Sequence, residues 1–270
     1  MKISFMTWAC PDWTLAQVLA GAIRYGYDSV EPRVEAEHAH EIELDTTKKQ
    51  RKAIKQQFAD CMVEISALAT SRRYAIATDH ELAESIDLTK RYVDLAADLG
   101  CENLRVFGGA TPEGMDFADA KKIVAEALHE CGEHAASRKV FLCLETHDSY
   151  SLSGDCLETV RMADHPNVAI CWDILHPVRH GESIETAFGN VRELVRHCHV
   201  HDATLGEEPG SYEMALMGQG DVPHDEAVKL LAGIKFAGAL SGEWINAFEA
   251  EEVLSHDALV LREYIADAAG

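Results

Sequence analysis

Short apolar runs alternate with longer amphipathic stretches along the whole chain, the pattern of a parallel sheet covered by helices. The apolar runs predict eight strands, at Ile3 to Trp8, Ser29 to Pro32, Glu64 to Ala69, Asn103 to Phe107, Val140 to Glu145, Val168 to Asp173, His197 to His201 and Ala239 to Glu243. Helix starts are marked by Thr14 with Gln17 and by Thr78 with Glu81, pairs that fit capping boxes satisfying free backbone N–H groups. Gly26, Gly100 and Gly238 each fall between a helical run and the next strand, where a left-handed residue closes a helix. Ser183 to Val195 is the weakest helical stretch, because Gly189 costs about 1 kcal/mol relative to alanine there. Ala203 to Val222 has no clear period and reads as an enlarged loop, with turn-forming residues near Glu207 to Gly210. The alternating charges of Lys48 to Lys55 predict a solvated helix face.

Eight strand–helix units in 270 residues leave about 34 residues each, close to the size of an eight-stranded α/β barrel. No linker or low-complexity stretch divides the chain. The expectation is one domain, residues 1–270, with an α/β fold of the (β/α)₈ TIM-barrel type. The first apolar run ends at Pro11-Asp12, too short for a signal-peptide core or a membrane span, so a cytoplasmic protein is expected. Eight cysteines are scattered singly without a C-x-x-C pair and read as reduced thiols. With 24 basic against 46 acidic residues the formal charge is -22, which argues against nucleic acid and anionic membranes as partners. Association into a homo-oligomer is left open.

In such a barrel the site is built where the strands end. Strand five closes on Glu145, strand six on Asp173, strand seven carries His199, and strand eight closes on Glu243. Each acid follows an apolar run, where an unpaired carboxylate costs several kcal/mol, on the order of the desolvation penalty of a buried ion. One shared divalent ion satisfies all of them. Three carboxylates and an imidazole suit Mn²⁺ first, with Mg²⁺, Co²⁺ or Zn²⁺ as alternatives.

These residues resemble the xylose-isomerase-like superfamily of barrels, which includes sugar isomerases, ketose 3-epimerases, inosose dehydratases and type IV apurinic endonucleases. The resemblance covers nearly the whole chain and implies that Glu145, Asp173, His199 and Glu243 are the metal ligands. His176, three residues after Asp173, the run Gly218-Gln219-Gly220-Asp221, and Glu31-Pro32-Arg33 also resemble its patterns. The endonuclease branch needs extra histidines on strands three and four, but those ends read Ala69-Thr70-Ser71-Arg72 and Val106-Phe107-Gly108-Gly109. The ketohexose epimerase branch carries an arginine shortly after the strand-seven histidine, and here Leu205 and its neighbours offer none.

The function implied is a metal-dependent isomerase or epimerase acting on a small unphosphorylated sugar, polyhydroxy ketone or cyclitol through an enediolate. Glu145 and Glu243 would serve as catalytic base and acid. A dehydratase or lyase using the same intermediate is the alternative, and a non-catalytic sugar- or metal-binding barrel a second one. Substrate contacts are assigned to His176, His201, Arg105 and His147. Arg105 could instead form an ion pair, with Glu31 among its acidic candidates. Asp202 is a candidate to orient an imidazole, and Trp8, Trp172 and Trp244 to wall the site or fill the core. His38 and His40 read as a solvated loop. Phosphate is not expected, because 203–228 contains no Lys or Arg and the basic residues Arg33, Arg72, Arg105 and Arg179 lie on other strands.

Overall fold

The computed structural model describes residues 1–208 and 210–270. Its strands are β1 (Lys2–Met6), β2 (Ser29–Glu31), β3 (Glu64–Ile65), β4 (Leu68–Ala69), β5 (Asn103–Val106), β6 (Phe141–Glu145), β7 (Val168–Asp173), β8 (Val195–Val200), β9 (Asp202–Leu205), β10 (Tyr212–Ala215) and β11 (Ala239–Gly242). The helices are α1 (Leu15–Tyr25), α2 (Lys48–Cys61), α3 (Asp79–Leu99), α4 (Phe117–Arg138), α5 (Ser153–Ala163), α6 (Leu175–Arg179), α7 (Ile184–Val191), α8 (His224–Gly233) and α9 (Ala250–Ala269).

Nine parallel strands form one sheet in the order β3-β2-β1-β11-β8-β7-β6-β5-β4. The two ends of that order are halves of a single interrupted strand, expected as one run from Glu64 to Ala69. β3 pairs with β2 and β4 with β5. Between the halves, Ser66 N–H donates to the Val30 carbonyl and Ala69 N–H to the Pro32 carbonyl, both at 3.0 Å. These bonds close a TIM barrel in which β5, β6, β7, β8 and β11 are strands four to eight. Alternation divides each strand. In β6 and β7, Leu142, Leu144, Ile170 and Trp172 face the helices in the main core, whereas Cys143, Ala169 and Cys171 form a small cluster of their own.

Local signals explain most element boundaries. The Thr14–Gln17 capping box is formed at α1, and Thr47 with Gln50 makes a second at α2. Thr78 departs from expectation: its hydroxyl donates to Glu81 instead of accepting a backbone N–H, so α3 starts without a side-chain cap. Gly26 and Gly100 adopt left-handed φ values of 78° and 83°. Gly238 does not. Lys235 (φ 56°) takes the left-handed position after α8, and Gly238 is required because a Cβ there would overlap the Arg196 carbonyl. Helix α7 tolerates Gly189 but ends at Val191, short of the expected Val195, which already opens β8.

The stretch expected to be an enlarged loop is in part an antiparallel hairpin, with Asp202 opposite Ala215 and Leu205 opposite Tyr212. Its turn, foreseen at Glu207 to Gly210, includes Pro209, which lies outside the described residues. All eight cysteines are free, seven of them buried. Among the described residues no helix is long and apolar enough to cross a membrane.

Candidate functional site

Parallel strands all end at one face, and their register is staggered as a tilted barrel requires. Glu145 stands beside Cys171, two residues before Asp173; Asp173 stands beside His199; and His199 stands beside Ser241, two residues before Glu243. Glu145, Asp173, His199 and Glu243 converge across this stagger, with one ligand atom from each lying within 4.8 Å of the others. Each is 5% exposed or less. His199 Nδ1 lies 3.2 Å from Glu145 Oε1 and 3.1 Å from Glu243 Oε2. Arg105 reaches in from β5, its Nε 3.1 Å from Glu145 Oε2 and its Nη2 3.9 Å from Glu243 Oε1.

Burial opposes charge on His199, yet the carboxylates of Glu31, Glu243 and Glu145 hold its imidazole well above the ordinary value. Burial would likewise raise Asp173, but His176, His201 and His199 hold it far below the carboxylate range. Glu243 is lowered to about 2 against the same penalty, by His199, Arg105 and His201. Three buried carboxylates thus draw cations from every direction. Donors about 2.0–2.6 Å from one divalent ion stand no more than about 5.2 Å apart, so a set gathered within 4.8 Å fits a single divalent cation.

Three imidazoles line one side of this set. His201 Nε2 donates to Asp173 Oδ2 at 2.9 Å, while the His176 backbone N–H donates to Asp173 Oδ1 at 3.1 Å. The His176 ring stands edge-on to His147 (centroids 4.4 Å) and to His201 (5.8 Å). Burial pushes His176 down to about 3, leaving it neutral. His147 pairs with Asp148 at 3.0 Å and remains about one-third exposed. Burial opposes its charge too, but its contact with the Asp148 carboxylate raises it above its ordinary value.

Several open alternatives are decided and other expectations corrected. Arg105 pairs with Glu145 and Glu243, and Glu31 bonds His197 and His199 instead. His38 and His40 are buried, not solvated: His38 Nδ1 and His40 Nε2 each lie 3.1 Å from the Thr7 hydroxyl, and burial pushes both rings down to about 4. Trp172 packs toward Phe188 in the core, and Trp244 is buried over Gly242, which leaves Trp8 as the partly exposed indole of the three. Asp202 orients no imidazole. Its carboxylate accepts the backbone N–H groups of Ala203, Gly218, Gly220 and Val222 at 2.8, 2.8, 2.9 and 3.2 Å. A Cβ on Gly220 would overlap Asp202 Oδ1 and the Ala203 carbonyl, which is why the Gly-x-Gly run is glycine there. His197 was missed as a site residue, although its period-two spacing with His199 and His201 marks the shared inward face.

Three basic residues near the barrel mouth are engaged internally. Arg33 donates to the carbonyls of Val34 and Ala69 and to Ser71. Arg72 pairs with Glu35 at 2.7 Å. Arg179 lies over the Tyr212 ring, 5.1 Å from its centroid, and donates to the Gly210 carbonyl, docking the hairpin on α6.

The family model described as a xylose isomerase-like TIM barrel matches residues 19–264. Among known proteins, the 3-dehydroshikimate dehydratase of Bacillus anthracis is 20% identical over 264 residues, covering 92% of this chain and 91% of its own. Two solved structures share the architecture. One is the IOLI protein with a bound zinc atom, with a TM-score of 0.84 and 19% identity over 99% of each chain. The other is an L-ribulose 3-epimerase, with a TM-score of 0.82 and 16% identity over 99% of this chain and 95% of its own. The matched span runs from α1 into α9 and takes in each strand that ends at the four-residue cluster: the chain belongs to the xylose isomerase-like TIM-barrel family.

Proposed function

We propose that Glu145, Asp173, His199 and Glu243 hold one divalent cation, with Mn²⁺ preferred, and that the protein is an enzyme isomerising or epimerising a small unphosphorylated sugar, cyclitol or polyhydroxy ketone. The observation that carries this reading is the convergence of three buried carboxylates and an imidazole within 4.8 Å at the ends of consecutive strands. A divalent ion, when bound, supplies Lewis acidity toward a carbonyl and its neighbouring hydroxyl.

The chain's own groups would then move the proton. Glu145 and Glu243 approach from β6 and from the end of β11, so one takes the proton α to the carbonyl and the other returns it. Return to the same carbon from the opposite face epimerises, and return to the next carbon isomerises. Arg105 is poised between the two glutamates and keeps a positive charge beside both. Neutral His176, with His147 and His201, offers ring nitrogens to substrate hydroxyls. The engagement of Arg33, Arg72 and Arg179 within the protein supports an unphosphorylated substrate.

A dehydratase reading, in which the same proton abstraction expels a β-hydroxyl, is favoured by one observation, the similarity to the Bacillus anthracis 3-dehydroshikimate dehydratase. The two readings separate in a turnover screen with Mn²⁺ over ketoses, inososes and 3-keto-glycosides, with products identified by NMR. Elemental analysis should find one divalent ion per chain, lost in His199→Ala; wild-type protein without metal after reconstitution would remove the basis of both.

A further inference from the structure

Glu31 lies at the end of β2, fully buried, and shares its carboxylate between two rings on β8. Its Oε2 is 2.8 Å from His197 Nε2 and its Oε1 is 3.1 Å from His199 Nε2. We propose that Glu31 is a positioning residue, which orients both imidazoles at once and so presents His199 to the cation through Nδ1. This inference rests on the metal reading above and names a residue outside its ligand set.

An ionised carboxylate only accepts hydrogen bonds, so both Nε2 atoms must carry protons. That leaves His199 Nδ1 as the ligating nitrogen, and Nδ1 is the atom that faces Glu145 Oε1 and Glu243 Oε2. His197 supports the assignment independently. It is fully buried and its Nδ1 has no partner, so its bond to Glu31 is the hydrogen bond its ring makes. Its ring stands perpendicular to that of His199, with centroids 5.3 Å apart, and it satisfies the carboxylate oxygen that His199 leaves free. A carboxylate behind the distal nitrogen also increases the basicity of the ligating one.

Glutamine cannot reproduce this arrangement. Its amide presents one acceptor and one donor to two N–H groups, so one ring must turn over its tautomer or lose its bond. If His199 changes, a proton occupies the ligand position.

The test is Mn²⁺ titration of metal-stripped wild type and Glu31→Gln, with free Mn²⁺ read by electron paramagnetic resonance and folding checked by circular dichroism. The expected result is a 10- to 100-fold rise in Kd for Glu31→Gln, on the order found for groups behind metal ligands. A Kd within twofold of wild type in a folded variant overturns the role of Glu31 alone. Wild-type protein that takes up no Mn²⁺ overturns the metal reading and this inference together. Should Glu31→Gln not fold, Zn²⁺-loaded wild type labelled with ¹⁵N-histidine decides the matter. Protonated Nε2 on His197 and His199, with a metal-shifted His199 Nδ1, supports the proposal; a protonated Nδ1 and metal-shifted Nε2 on His199 overturns it.

Discussion

Replacing Arg105 by methionine should destabilise the metal-free protein severely and the metal-loaded protein much less. The Arg105 guanidinium lies 3.1 Å from Glu145 and 3.9 Å from Glu243, and it donates to the Thr70 carbonyl at 2.8 Å. At an effective dielectric near 20 the two ion pairs correspond to gross attractions of about 5 and 4 kcal/mol. Desolvation offsets much of that, and breaking a buried pair from one side costs about 3–5 kcal/mol net. For a chain of this size the loss amounts to a fall in Tm of roughly 5–9 °C. A divalent ion between the same carboxylates supplies the missing positive charge, so saturating Mn²⁺ should close more than half of the gap. By linkage, Arg105→Met then binds Mn²⁺ more tightly than wild type, because the ion no longer competes with a guanidinium. Calorimetry of both proteins with and without Mn²⁺ measures all of this. Equal stabilisation of the two by Mn²⁺ would refute the idea that arginine and cation answer to the same carboxylates.

Glu243→Gln keeps a carbonyl oxygen for the ion but cannot carry a proton, so deuterium incorporation from solvent into substrate should fall by about 10² or more. Wild-type turnover without exchange would point to hydride shift instead. Phosphorylated sugars should be no better substrates than their free counterparts, since Glu207, Glu208 and Glu213 border the hairpin and Glu249, Glu251 and Glu252 follow β11; a tenfold preference in kcat/KM for the phosphate would contradict this. The pH dependence of the metal-free fold follows from the same cluster. Although burial would raise them, Glu31, Asp173 and Glu243 are held below the usual 3.8 to 4.5 by facing imidazoles and Arg105. Their contribution is complete above about pH 4.5 and is lost as pH falls, Glu243 yielding near pH 2 and Asp173 after it. His199 and His201 are raised, so theirs is complete below pH 6.5 and fades as pH climbs through their folded values. Urea midpoints should decline in both directions, and a flat profile between pH 5 and 3 would contradict the assignment.

The three acids were legible because each closes an apolar run, with His199 carried by the strand between two of them, and a parallel sheet brings run endings to one face whatever the loops do. Register then did the rest, as with Asp173 level with His199. What escaped was non-local or locally patternless. Glu31 and His197 are 166 residues apart, and neither neighbourhood announces the other. His38 and His40 sit among polar residues that suggest solvent, but the Thr7 hydroxyl, the Trp8 ring and the Arg33 carbonyl, distant or patternless in sequence, enclose them. The hairpin strands Asp202–Leu205 and Tyr212–Ala215 lack a continuous buried face, so no alternation marks them. Thr78 and Glu81 had the right spacing for a capping box, but the hydroxyl was satisfied by the glutamate.

The cradle around Asp202 has a consequence for how such a barrel can diversify. The chain leaves the eight-stranded core at Asp202, runs out through β9 and β10, and returns at Gly218 to Val222 to bond the same carboxylate. Exit and return are thus fastened at one point, and Asp221 N–H to the Ala203 carbonyl fastens them again. Lengthening the excursion between them costs only loop closure, about 0.6 kcal/mol for each doubling. His199 does not depend on that excursion, because its ring is held by Glu31 and not by the hairpin. Segment 203–217 is therefore an exchangeable module: its length and side chains can drift toward new substrates while the chemistry beneath stays anchored.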